Sequence, residues 1–272
     1  MTSRLGWQRD GRDWPNRAAS RFVRADNMTW HVQVMGAGPV LLLAHGTGAA
    51  THSWRDLAPL LAAHFTVVAP DLPGHGFTDT PPGNGLSLPG MARGLGALVA
   101  ALGVNPVLAA GHSAGAAVLA RMILDNAIAP RALVSLNGAL LPRLFAWRAG
   151  DPATVQRLLR GTGSCIDARG AEFYRRLAAN PVHAGAALGM MANWDLQPLV
   201  RDLPKLPCTL VLVAGSNDRT IAPADAVRVR TMVPGATVVT LPGLGHLAHE
   251  EQPRQTADLI CQVARDAGVL PP

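Results

Sequence analysis

The sequence predicts an α/β fold, a mostly parallel eight-stranded sheet flanked by helices, with a helical insertion late in the chain. Three observations carry this. Short runs rich in Val, Leu and Ala recur along the chain and mostly alternate with stretches of helical periodicity. Runs such as Pro39-Val-Leu-Leu-Leu-Ala44 are apolar throughout, as strands covered on both faces are. At 272 residues and 49% hydrophobic, the chain is long and apolar enough to bury one large core.

Taken in order, strands are expected near residues 21 to 25, 30 to 35, 39 to 44, 65 to 69, 106 to 110, 131 to 136, 208 to 214 and 236 to 241. The first two form an antiparallel edge and the rest pair in parallel across helical connections. Residues 114 to 126 read as a helix, with apolar positions at helical spacing. After the sixth strand come about seventy residues before the seventh, far more than a simple crossover needs. They predict a helical cap over residues 139 to 205, inserted into a core made of residues 1 to 138 and 206 to 272. Within it, helices are expected at 154 to 160, 171 to 179 and 184 to 194, with breaks at Gly161-Thr162-Gly163 and Asn180-Pro181.

Composition excludes several functional classes. The first twenty residues lack the continuous apolar stretch of a signal peptide, and no run of about 18 apolar residues is available to span a membrane. The expectation is a cytoplasmic protein, at most peripheral at a membrane surface. Cys165, Cys208 and Cys261 are scattered and odd in number, so they read as reduced thiols. The nine histidines form no ligand pattern such as H-E-x-x-H, and no metal or cofactor is expected. The net charge of +6 includes no basic run with interleaved aromatics, which argues against nucleic acid as a partner.

Chemistry is concentrated in four segments. Gly111-His112-Ser113-Ala114-Gly115 has the G-x-S-x-G pattern of a serine held on a sharp turn from strand to helix. The pentapeptide alone is a weak signal in a chain with 28 glycines, but an apolar strand precedes it and a helix follows. A serine hydroxyl is a poor nucleophile at neutral pH, so it needs an imidazole to take its proton and a carboxylate to orient that imidazole. Asp218, after the seventh strand, and His246, after the eighth, supply the acid and the base. His249 is the nearest rival for the base; Asn137, after the sixth strand, cannot carry the acid's charge. The loop His45-Gly46-Thr47-Gly48 follows the third strand, where the backbone N–H of Thr47 and that of Ala114 would form an oxyanion hole. Asp71-Leu-Pro-Gly-His75-Gly76 holds both an aspartate and a histidine, but it reads as a turn secured by a capping carboxylate.

The cap carries nine basic residues against five acidic ones, a net +4 of the chain's +6, together with Phe145, Trp147, Met190, Met191 and Trp194 as candidate substrate contacts. An apolar groove rimmed by arginines suits a large flat molecule bearing carboxylates. A blander reading competes with this one, because every basic residue except Lys205 is arginine throughout the chain and apolar cap residues also pack on a core.

As a whole the chain resembles the α/β-hydrolase superfamily. Asp13-Trp14-Pro15-Asn16-Arg17, Trp30-His31-Val32-Gln33, His45-Gly46-Thr47-Gly48, the Ser113 pentapeptide and Met191-Ala192-Asn193-Trp194-Asp195-Leu196 are similar to the magnesium-chelatase accessory branch of bacteriochlorophyll biosynthesis. The superfamily resemblance implies the α/β-hydrolase fold and the triad Ser113, Asp218 and His246. The branch resemblance implies a link to magnesium insertion in tetrapyrrole synthesis, with a porphyrin or magnesium-chelatase subunits as partners. Two functions from different classes follow: a serine hydrolase of a hydrophobic ester or related acyl bond, and a non-catalytic accessory protein that binds a porphyrin or the chelatase.

Overall fold

The computed structural model describes residues 4–142 and 152–272. A short helix α1 (Trp7–Asp10) precedes β1 (Ser20–Ala25), β2 (Met28–Met35), β3 (Val40–Ala44), α2 (Leu57–Leu61), β4 (Thr66–Pro70) and α3 (Leu88–Ala101). Next come β5 (Leu108–His112), α4 (Ala114–Leu124) and β6 (Ala132–Leu136). Among the described residues, four α-helices follow before the next strand: α5 (Pro152–Gly161), α6 (Ala168–Ala179), α7 (Pro181–Ala192) and α8 (Gln197–Asp202). The chain closes with β7 (Thr209–Gly215), α9 (Pro223–Met232), β8 (Thr237–Leu241), α10 (Ala248–Glu251) and α11 (Pro253–Asp266).

The eight strands form one sheet in the order β1-β2-β4-β3-β5-β6-β7-β8. β1 pairs antiparallel with β2, and β2 with β4; every other pairing is parallel. This is the expected α/β-hydrolase sheet with its antiparallel edge. The continuous apolar strands have a direct cause. In β3, Leu42 and Ala44 enter the core under α3 and α4, while Leu41 and Leu43 enter the core under α2 and α11. β7 divides likewise, Leu210 and Leu212 to one side, Val211 and Val213 to the other. With both faces covered, neither set of alternate positions is left polar.

Three elements have boundaries that differ from expectation in an instructive way. β5 begins at Leu108 rather than Pro106 and runs on to His112, pairing Leu41 with Leu108 and His112 with Leu136. Pro106 has no N–H for the ladder, and the two extra residues bring the strand to the doorstep of Ser113. The Asn180-Pro181 break is the start of α7: Asn180 Oδ1 accepts from the N–H groups of Val182 and His183, both at 3.1 Å, and Pro181 occupies the first turn. That combination is a strong helix start. α6 begins earlier than expected because Asp167 caps it, accepting from Gly170 N at 2.6 Å. Among the described residues no helix is long and apolar enough to cross a membrane. Cys165 is exposed, Cys208 half-buried and Cys261 buried, all free.

Candidate active site

Ser113 lies between the last residue of β5 and the first of α4, with φ 51° and ψ −118°. A non-glycine residue with positive φ is strained, and here the neighbours hold it in place. Its N–H donates to Leu136 O at 3.0 Å, and its carbonyl accepts from Ala116 N at 3.2 Å and Ala139 N at 3.0 Å. The flanking glycines allow the close approach. A Cβ at Gly111 would stand 2.5 Å from Ala116 N, and one at Gly115 would stand 2.1 Å from Ala44 O.

The candidate acid and base follow β7 and β8. His246 Nδ1 donates to Asp218 Oδ2 at 2.8 Å, with both side chains buried. Three more donors meet the same carboxylate: Thr220 N at 2.7 Å and Ile221 N at 2.9 Å on Oδ1, and Asn137 Nδ2 at 2.8 Å on Oδ2. A carboxylate so surrounded is held in one orientation, and it fixes the imidazole through its Nδ1–H. Neither Ser113 Oγ nor His246 Nε2 has a hydrogen bond among the described residues. Such contacts are commonly loose in a ligand-free site.

The rival histidine is placed otherwise. His249 packs between Trp54 and His112, with ring centroids 4.7 and 4.4 Å away, and neither of its nitrogens is hydrogen-bonded. Burial, aided by nearby His246, pushes its pKa down to about 3 and keeps it neutral. Asp71 is structural, as expected from its turn. It accepts from Thr51 N at 2.7 Å, Phe77 N at 2.9 Å and His31 Nδ1 at 2.7 Å. Burial by itself would raise the Asp71 pKa, but His31 overrides it and holds the carboxyl well below the usual range. His31 Nε2 also meets Ser20 Oγ at 2.9 Å, so this second Ser-His-Asp line ties β1, β2 and the end of β4 together. Trp7, Phe22 and Phe77 pack around the His31 ring.

The loop after β3 presses against the elbow. A Cβ at Gly46 would lie 2.9 Å from His112 Nδ1 and 3.0 Å from Ser113 Cβ. The Thr47 N–H meets no acceptor among the described residues, and Ala114, at the first position of α4, has no intrahelical acceptor for its N–H. Two unpaired donors therefore flank the serine, the arrangement that stabilises a developing oxyanion.

Of the residues expected to contact substrate, Met190 is fully buried and its sulfur accepts from Thr47 Oγ1 at 3.4 Å. Met191 is partly exposed; Trp194 is half-buried, with its indole N–H on Leu86 O at 3.1 Å. Phe145 and Trp147 lie outside the described residues. Two arginines of α6 are already engaged, Arg175 with Glu172 and Arg176 with Asp13, each through two hydrogen bonds. Sequence reasoning passed over Asn137 as an acid without seeing it as the acid's partner; its one local signal is the left-handed φ of 48° after β6. It also missed His112, whose Nε2 donates to the His246 carbonyl at 2.9 Å. Among the described residues no group of three or more His, Cys, Asp or Glu is arranged to hold a metal ion.

Comparison with known proteins agrees with this architecture. Residues 41–259 match the sequence model of the Alpha/beta hydrolase family. The chain is 38% identical to the Magnesium-chelatase 30 kDa subunit of Rhodobacter capsulatus, an alignment spanning 88% of this chain and 92% of that protein. It is 26% identical to the 2-(acetamidomethylene)succinate hydrolase of Mesorhizobium japonicum, across 89% of this chain and 93% of the relative. Among solved structures, the meta-cleavage product hydrolase of Pseudomonas fluorescens superposes with a TM-score of 0.81 at 18% identity, covering 91% of this chain and 98% of that one. A serine hydrolase involved in carbazole degradation gives 0.78 at 22%, covering 89% and 97%. These two likenesses concern the fold alone.

Proposed function

The chain belongs to the alpha/beta hydrolase family, and from that premise we propose that it is a serine hydrolase acting on a hydrophobic ester or related acyl bond. Ser113 Oγ attacks the acyl carbon while His246 Nε2 takes its proton, and Asp218 steadies the imidazolium. The carbonyl oxygen gains negative charge between the N–H groups of Thr47 and Ala114. Collapse of the tetrahedral adduct expels the alcohol, which leaves with the proton from His246, and Ser113 remains acylated. Water then attacks the acyl carbon, passing a proton to His246; the acid departs and Ser113 recovers its proton. The observation that carries this reading is the buried 2.8 Å bond between His246 and Asp218 at the sheet edge where the Ser113 elbow opens. A fluorophosphonate probe should label the wild type at Ser113 and leave Ser113→Ala unlabelled; an unlabelled, folded wild type would refute it.

In this reading residues 139 to 205 act as a cap on the core, and Phe145, Trp147, Met190, Met191 and Trp194 are its substrate contacts. The 38% identity with a protein named as a magnesium-chelatase subunit supports a tetrapyrrole as the hydrophobic ligand and chelatase subunits as partners. One observation favours the non-catalytic alternative, a porphyrin- or chelatase-binding accessory protein: Ser113 Oγ makes no hydrogen bond to His246 among the described residues. A porphyrin dipropionate and its diester, titrated against tryptophan fluorescence at two salt concentrations, test the ligand. Tighter, salt-sensitive binding of the diacid is expected if cap arginines pair with propionates, whereas equal affinities would leave only apolar contact.

A further inference from the structure

One of the two donors of the proposed oxyanion hole sits on a loop whose aim is set from a distance. A trans peptide is planar, with its C=O and the following N–H on opposite sides. The direction of the Thr47 N–H is therefore set by the Gly46 carbonyl. Two donors hold that carbonyl, His45 Nδ1 at 2.8 Å and Ala49 N at 3.2 Å. The Ala49 N–H belongs to the peptide plane that also carries the Gly48 carbonyl, and this carbonyl accepts from His183 Nε2 at 3.1 Å.

His183 is the third residue of α7, 135 residues away from Gly48 in sequence. Its Nδ1 accepts from Gly76 N at 3.0 Å, which leaves the proton on Nε2 to serve Gly48. The ring is buried, 2% exposed, and therefore stays neutral in this one tautomer. Seven residues on, two helical turns along the same face, Met190 Sδ accepts the Thr47 hydroxyl at 3.4 Å. One helix thus touches the loop at Gly48 and at Thr47, on both sides of the peptide that separates them.

We propose that His183 is a positioning residue for the oxyanion hole: through the Gly48 carbonyl, and with Met190 on the Thr47 side chain, α7 holds the loop so that the Thr47 N–H points at the reacting oxygen. The inference rests on the serine-hydrolase reading above and deepens it, because it makes competence for acyl transfer depend on the seating of a helix from the insertion. A substrate that seats α7 assembles the hole, and displacement of α7 lets the two peptide planes turn.

The test compares His183→Ala, His183→Gln and His183→Asn. A Gln amide nitrogen falls near the Nε2 position and can donate to Gly48, whereas an Asn side chain reaches only the Nδ1 position and can serve only Gly76. On p-nitrophenyl butyrate, His183→Ala should lower kcat by about 10- to 100-fold, short of the loss from deleting an oxyanion donor outright, with KM within about threefold of the wild type. The rate of Ser113 phosphonylation by the fluorophosphonate should fall in parallel, and amide exchange across residues 45 to 50 should accelerate. His183→Gln should recover most of each, and His183→Asn should not. A purely structural histidine predicts instead that rates follow melting temperature, with Asn and Gln alike. Wild-type labelling at Ser113 with unchanged rates and exchange in His183→Ala would overturn the positioning role alone; a wild type that neither labels nor hydrolyses esters would overturn the serine-hydrolase reading and this role with it.

Discussion

The backbone of Ser113 stores strain that its side chain has to justify. At φ 51° and ψ −118° only glycine is at ease, and such strain costs about 1 to 3 kcal/mol. Ser113→Gly should therefore be more stable than Ser113→Ala by an amount in that range, while both lose the labelling that depends on the hydroxyl; chemical denaturation of the two variants measures the difference. Gly115 has no such freedom. With a carbonyl oxygen 2.1 Å from where a Cβ would sit, Gly115→Ala forces α4 off β3 and should destabilise the protein by several kcal/mol, read as a fall in the denaturation midpoint. Asn137 is a quieter residue with a specific consequence. Asn137→Ala removes one of four donors to a buried carboxylate and should cost about 1 to 3 kcal/mol, and esterase kcat should fall more than KM changes, because Asp218 then orients His246 less firmly.

At the scale of elements, α6 is joined to α10 and the 3-10 turn Thr51–Trp54 by a polar seam. Arg55, just after that 3-10 turn, pairs with Glu250 of α10 and with Asp167, the cap of α6; Tyr174 of α6 donates to Glu250 at 2.7 Å. Arg55 is 4% exposed in its side chain and Glu250 wholly buried. Removing one partner of such a pair strands the other charge, so Arg55→Ala should destabilise by about 3 to 5 kcal/mol, seen in the denaturation midpoint. Tyr174→Phe should cost less. Strand and helix order were legible in the sequence because apolar runs, Gly-Pro punctuation and helical spacing are local signals. The caps were not: Asp167 and Asn180 act through one and two side-chain bonds to backbone N–H groups, and the sequence shows only that a residue capable of capping is present.

Over the whole molecule, buried histidines set the response to acid. Burial lowers the pKa of His183 to about 4 and that of His249 to about 3, against the ordinary value near 6.5, and it also lowers His45, His52, His75 and His112. Groups with depressed folded values contribute stability that is complete above the unfolded pKa and is lost as pH falls through the folded one. Glu250 opposes them: burial raises it to about 7, so its contribution is complete below the ordinary carboxylate pKa and is lost as pH rises through 7. Histidines outnumber it, and the net expectation is a denaturation midpoint that declines from pH 6.5 towards pH 4, steepening below about 4.5 where Glu250 no longer offsets the loss. A midpoint that rises on acidification over that range would contradict this.

The sequence by itself determined the sheet and the residue types of the candidate site. Apolar runs and glycine spacing are written locally, and Ser113, Asp218 and His246 each follow a strand that the pattern identifies. Only the tertiary structure decided which histidine meets Asp218, since His246 and His249 are three residues apart and differ by the packing of one against Trp54 and His112. It alone placed Asn137 on the Asp218 oxygen that also meets His246, and His183 on the Gly48 carbonyl, 81 and 135 residues away in sequence. Such contacts depend on the directions in which planar peptides and side chains point after the sheet has closed, and no periodicity along the chain records those directions.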